Sequence, residues 1–200
     1  MTKTYYTSDL HFYHKNIVKF TERGKVTTAE DHDAWLKDLW NSQVKEDDFV
    51  VHVGDFSFKR GTQAMIELLR SLKGRKVFVL GNHDDEKVMN IAAGVPETQV
   101  VQVTNYLRHF LYGQFSQKQK LEIFHYPIGS WRDQAHGSWH LHGHSHGNYA
   151  DSDKGKILDV GLDSAYKILG EHRFFTEDDI IDHMNAREIY TRDLHRKEEA

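Results

Sequence analysis

Five short segments of this chain end in residues that bind metal ions well. They are Asp9-Leu10-His11, Gly54-Asp55, Gly81-Asn82-His83-Asp84, His125 before Tyr126-Pro127, and Gly143-His144-Ser145-His146. Asp9, His11, Asp55, Asn82, His125, His144 and His146 offer two carboxylates, one amide and four imidazoles. One divalent ion with tetrahedral or octahedral geometry cannot use all of them once waters are counted. Two ions can, if one carboxylate is shared. The chain has no cysteine, so the ligands are nitrogen and oxygen. That set suits Mn first, with Fe, Zn, Ni or Mg as alternatives. Two dications outweigh two carboxylates and a hydroxide, so the centre keeps positive charge and attracts a phosphate monoester or diester. Paired metals about 3.5–4 Å apart clamp in-line attack on phosphorus.

Each segment follows an apolar stretch that reads as a β-strand: Tyr5-Tyr6, Phe49 to Val53, Val77 to Leu80, Leu121 to Phe124, and Trp139 to Leu141. Residues just past the carboxyl ends of strands gather along one rim of an α/β sheet, where ligands bind. Between the early strands, Asp31 to Val44 places Trp35, Leu36, Leu39, Trp40 and Val44 on one helical face. Thr62 to Leu72 repeats that pattern, with Gly74 as a stop. This alternation predicts α/β architecture with adjacent parallel strands. In the second half, Gln99 to Val103, Tyr106 to Tyr112, Leu121 to Phe124, Ser138 to His142 and Lys156 to Val160 predict short strands. The polar turns between them predict antiparallel pairing. Thr176 with Asp179 predicts a capping box opening a last helix. A single domain over 1–200 is expected, with a charged C-terminal helix or tail at about 176–200.

The 38% apolar and 28% charged content is that of a soluble globular protein. No basic leader followed by an apolar run is present, and no run reaches membrane-spanning length, so a cytoplasmic protein without membrane contact is expected. Net charge is −4 with Lys and Arg scattered, which offers no track for stable binding of duplex nucleic acid.

The ordered motifs Asp-x-His, Gly-Asp, Gly-Asn-His-Asp, His and Gly-His-x-His, from Asp9 to His146, resemble the calcineurin-like metallophosphoesterases. Gly161-Leu162-Asp163 is similar to that family's closing strand. The resemblance implies a four-layer α-β-β-α sandwich of two mixed sheets flanked by helices, with a two-metal centre. It implies that Asp9, His11 and His146 hold one ion and Asn82, His125 and His144 the other, with Asp55 bridging. His83 would contact phosphate and protonate the leaving oxygen, with Asp84 orienting it, and the nucleophile would be a hydroxide shared by the ions. The expected activity is hydrolysis of phosphomonoester or phosphodiester bonds in a small substrate such as a nucleotide or cyclic nucleotide. The alternatives are a nuclease on accessible nucleic acid or a protein phosphatase. Gly54 to Gly61 reads Gly-Asp-Phe-Ser-Phe-Lys-Arg-Gly, one residue longer than the protein-phosphatase pattern and without its second Asp, which argues against the latter. A non-catalytic scaffold is disfavoured because every ligand candidate and His83 are present.

Residues near the motifs carry competing readings. His14 and Asn16 follow the first motif closely enough to reach a bound phosphate, and equally suit helix capping. His52, His140 and His142 sit inside strands, where a supporting role is the simpler expectation. Arg60 and Arg132 suit a phosphate oxygen or an exposed surface. Phe12, Tyr13, Tyr126, Trp131 and Trp139 suit an apolar wall for a leaving group, or packing over the sheet.

Overall fold

Apolar residues at successive positions build the first sheet: neighbouring strand side chains point to opposite faces, and here both faces are covered. The computed structural model describes residues 2–21, 23–111, 118–150 and 154–190. Strands β1 (Thr4–Thr7), β2 (Phe49–Val53), β3 (Arg75–Val79) and β4 (Val100–Thr104) run parallel. The short β9 (Phe175–Thr176) pairs antiparallel with β1, so the order is β4-β3-β2-β1-β9. Tyr5, Val50 and Phe78 face outward, where α1 (Ala29–Gln43), α2 (Thr62–Arg70) and α3 (Glu86–Ala93) cover them with Leu36, Trp40, Met65, Leu68 and Met89. Tyr6, Val51 and Val79, one residue on, face the second sheet. Burying each such side chain contributes roughly 1.5–3 kcal/mol.

The second sheet holds β5 (Leu107–Leu111), β6 (Gln119–Ile123), β7 (Trp139–His142) and β8 (Ile157–Asp159), in that order. Its Leu121, Ile123, Leu141 and Leu158 meet the first sheet's inner face. Helices α4 (Leu162–Leu169) and α5 (Glu177–Asn185) add Ala165, Ile180, Ile181 and Met184 to that core. Two mixed sheets flanked by helices are thus the architecture.

Two expectations need correction. Of the strands expected to pair antiparallel in the second half, β5 and β6 do so with each other; β4 lies parallel to β3 in the first sheet, and β6, β7 and β8 are parallel. Residues 124–138 and 143–156 are long enough to carry the chain back across the sheet, so the polar turns there are crossovers rather than hairpins. Gly161 is not in a closing strand. It makes an isolated bridge to Ser8 and caps α4, which contains Leu162 and Asp163. The predicted capping box at Thr176 and Asp179 is present. Among the described residues no helix is long and apolar enough to cross a membrane. Tyr112, residues 151–153 and the expected tail from 191 lie outside the described residues.

Candidate metal centre

The chain just past β1 continues beside the chain just past β2. The amides of Asp9, His11 and Phe12 donate to the carbonyls of Gly54, Asp55 and Phe56 at 3.0, 3.1 and 2.9 Å. Asp9, His11 and Asp55 are therefore all carried at the end of the first sheet. The second sheet delivers the rest: His125 follows β6, and His144 and His146 follow β7. The seam is closed by the His144 amide, which donates to the Asp9 carboxylate at 2.9 Å. At Gly143 a Cβ would collide with Ser8 Oγ and lie 2.6 Å from Asp9 Oδ2, so a side chain there would push the sheets apart.

Ligand atoms converge in two groups, one of Asp9, His11 and His146, the other of Asp55, His125 and His144, each within 4.8 Å. Asp55 faces both. Its Oδ1 lies 3.5 Å from His125 Nε2 and its Oδ2 lies 4.0 Å from His11 Nε2. Asn82 Oδ1 joins the second group, 3.2 Å from His125 Nε2. His11 and His146 stack at 6° with their Nε2 atoms facing across 3.2 Å. Facing imidazole nitrogens beside two carboxylates form a donor set that fits divalent cations.

Backbone and second partners fix the rings. His125 Nδ1 donates to the Val53 carbonyl at 2.8 Å, leaving Nε2 toward the centre. His146 Nδ1 meets Asp163 Oδ2 at 2.6 Å, and Asp163 also accepts from the buried Arg23 at 2.6 and 2.8 Å. Arg23 further donates to the carbonyls of Asp9 and Leu10 at 2.7 and 3.0 Å. Asp159 accepts from Ser145 Oγ and from the Gly147 and Gly161 amides, fixing the loop that bears His144 and His146. Asp9, His11, Asp55, His144 and His146 all have positive φ, between 48° and 68°.

The electrostatics follow from enclosure. Burial, then the charge of Asp159, push the Asp9 carboxyl up to about 7. Burial and the nearby Arg23 hold His11 neutral, down at about 2. Burial opposes a charge on His125, but the carboxylates of Asp55 and Asp9 outweigh it and lift that ring to about 9. Burial likewise opposes ionisation of Asp55, and His125 overcomes it, holding the carboxyl near 2.

The structure thus brings together all seven ligand candidates. His83 sits at the rim with its side chain 43% exposed and Nε2 3.9 Å from Asp55 Oδ2; its ring lies 4.6 Å from that of Phe58. Asp84 does not orient that imidazole as expected. Its carboxylate accepts the amides of Gly81, Asp55, Phe56 and Ser57 at 2.9, 2.9, 2.8 and 3.3 Å, because it is the nearest acceptor for four converging peptide N–H groups. His14 borders the cavity beside His11, whereas Asn16 is exposed, does not line it, and makes no side-chain cap.

Other residues resolve as follows. His140 supports its strand through Glu122 and Ile128, and His142 bonds the Gly143 carbonyl. His52 is buried between Phe56 and Phe78 with neither ring nitrogen bonded. Arg60 is exposed beside Asp85, and Arg132 is exposed. Of the aromatics, Tyr126 lies 4.7 Å from the His144 ring, while Phe12 and Trp139 are core. Trp131 covers His140, and Tyr13 packs on the outer core. The sequence reading missed Arg23, Asp159, Asp163 and Phe58. Gly161-Leu162-Asp163 carried a signal for Asp163, but an arginine buried from a polar stretch carries none.

The family model described as the calcineurin-like phosphoesterase superfamily domain matches residues 4–161. The chain is 29% identical to the Gene 66 protein of Mycobacterium phage L5, over 94% of this chain and 98% of that one. It is 32% identical to the uncharacterized protein MJ1445 of Methanocaldococcus jannaschii, over 76% and 73%. A crystal structure of the protein of unknown function AQ665 from Aquifex aeolicus shares the fold, with a TM-score of 0.63 and 19% identity, over 92% of this chain and all of that one. The chain belongs to the calcineurin-like phosphoesterase superfamily, a family of metal-dependent phosphoesterases.

Proposed function

We propose that the protein hydrolyses phosphomonoester or phosphodiester bonds of a small substrate at a centre of two divalent cations, Mn being the best fit. The observation that carries this reading is Asp55, whose two carboxylate oxygens face two separate groups of imidazole nitrogens. In this reading Asp9, His11 and His146 would hold one cation and Asn82, His125 and His144 the other, with Asp55 serving both. When bound, such cations supply the positive charge that activates water and steadies the phosphoryl oxygens.

The chain's own groups do the rest. His83 stands at the open rim, its amide tied to Asp55 Oδ1 at 2.9 Å and its ring braced by Phe58. From there it gives a proton to the leaving oxygen as water's oxygen adds to phosphorus and the P–O bond to the alcohol breaks. Asp84 acts as a positioning residue, holding the peptides that carry Asp55 and lead into Asn82.

The test is hydrolysis of an aryl phosphate ester and diester by Mn²⁺-loaded protein. His83→Ala is expected to lose about 10²–10⁴-fold in kcat while its metal content, measured by elemental analysis, stays that of wild type. Full activity in the variant would remove His83 from its role, and no turnover of any ester by wild type would remove the reading.

A further inference from the structure

A cavity of about 690 Å³ opens directly off the centre, with His11, His83 and His146 on its inner wall. That volume is typical of sites for drug-sized ligands. Its outer walls come from two places far apart in sequence: the turn at Ile17 to Thr21, and helix α4 at Tyr166 and Lys167. Two of its rings are unusually open for large aromatics: Phe20 is 75% exposed and Tyr166 is 49% exposed. The Tyr166 ring is braced and Phe20 is the more open of the two. Tyr166 stacks on His172 at 4.5 Å and 10°, and Phe20 lies 6.5 Å from His14, which packs at 4.2 Å on Phe58.

The charge on these walls is also one-sided. Among the described lining residues Asp163 is the carboxylate, and it is already taken by Arg23 and His146. Lys167 is hydrogen-bonded to the carbonyls of His146 and Gly147 and to Asn148 Oδ1, all uncharged, so its positive charge is not neutralised by them. An exposed ring face beside an ammonium group whose partners among the described residues are uncharged favours a ligand that is flat, aromatic and anionic.

We propose that this cavity is the subsite for the leaving group of the substrate, and that the leaving group carries a flat aromatic ring, as the nucleoside of a nucleoside phosphate does. The position of His83 on the inner wall sets the direction: the group on the oxygen it protonates enters the cavity. Phe20 and Tyr166 supply the stacking faces and are specificity residues. This rests on the phosphoesterase reading for the role of the cavity, and the binding of the ring can be measured apart from turnover.

Calorimetric titration of the Mn²⁺-loaded protein with inorganic phosphate and with an AMP whose scissile ester oxygen is replaced by CH2, so that it binds without being hydrolysed, separates the ring from the phosphate. This AMP is expected to bind about tenfold or more tighter than phosphate, the scale of one base stacked on an aromatic side chain. Tyr166→Leu and Phe20→Leu keep apolar bulk while removing the flat face, and each is expected to narrow that gap. Both side chains are open to solvent, so a folded variant is expected, and circular dichroism verifies it. AMP binding no tighter than phosphate, or an unchanged gap in both variants, overturns the subsite. A wild-type gap that narrows in the variants supports it even if no ester is turned over, an outcome that would overturn the catalytic reading alone.

Discussion

At the scale of single residues, the backbone of the ligands is the feature with the most consequence. Asp9, His11, Asp55, His144 and His146 occupy the left-handed region, which costs an L-residue roughly 1–2 kcal/mol. The surrounding hydrogen bonds hold them there, and such strain concentrates at functional sites. His144 gives a clean test because it is exposed and φ is 68°. His144→Ala removes the ring and keeps the strain, whereas His144→Gly removes both. Glycine's extra freedom in the unfolded chain offsets part of the relief. With chelator present, urea unfolding is expected to show His144→Gly more stable than His144→Ala by about 0.5–1 kcal/mol. A less stable glycine variant would mean the conformation costs nothing. The ligand types themselves were legible in the sequence, since few roles other than metal binding need Asp, Asn and His directly after five apolar stretches. Their partners were not. Arg23 reaches the centre only because its turn folds back over the loop after β1, and Asp84 found backbone amides nearer than the His83 ring.

At the scale of elements, α5 shows a local signal that suffices by itself. Thr176 Oγ1 accepts the Asp179 amide, and Asp179 in turn accepts the Thr176 amide and bonds Arg173 at 2.6 and 2.7 Å. The bond from Arg173, against some burial and with help from Thr176, holds the Asp179 carboxyl near 2, below its ordinary 3.8. A carboxyl whose pKa is lower folded than unfolded adds stability that is complete above its unfolded pKa. That stability is lost as pH falls from about 4 toward 2. Asp179→Asn is expected to flatten the fall of unfolding free energy across that window, measured by urea titration at each pH. An unchanged slope would show that this carboxylate does not contribute. Strand direction was the converse case. Alternating apolar residues set which face is buried and say nothing of which way a neighbour runs. The crossovers 124–138 and 143–156 decide that, and their length was the overlooked signal.

At the scale of the whole molecule, the two cores and the centre are one arrangement. Alternation in β1 to β3 sends one set of side chains to the helices and the other to the second sheet, and the loops past those strands meet at the seam. The order of strands within each sheet and the cavity at Phe20 and Tyr166 were not legible, because both depend on which distant segments become neighbours. Ligands bound only to the folded state stabilise it by about 2.7 kcal/mol at one hundred times their dissociation constant. Mn²⁺ at such a concentration is therefore expected to raise the melting temperature by about 5–10 °C, and chelator to reverse the rise. No shift in scanning calorimetry would mean the cations do not bind the native fold.

The placement of that seam reaches past chemistry. Asp9, His11 and Asp55 hang from one sheet and His125, His144 and His146 from the other, so each cation would be a stitch between two halves. A cell short of metal would then lose more than turnover. The unstitched chain would open more often and present its inner apolar faces to proteases.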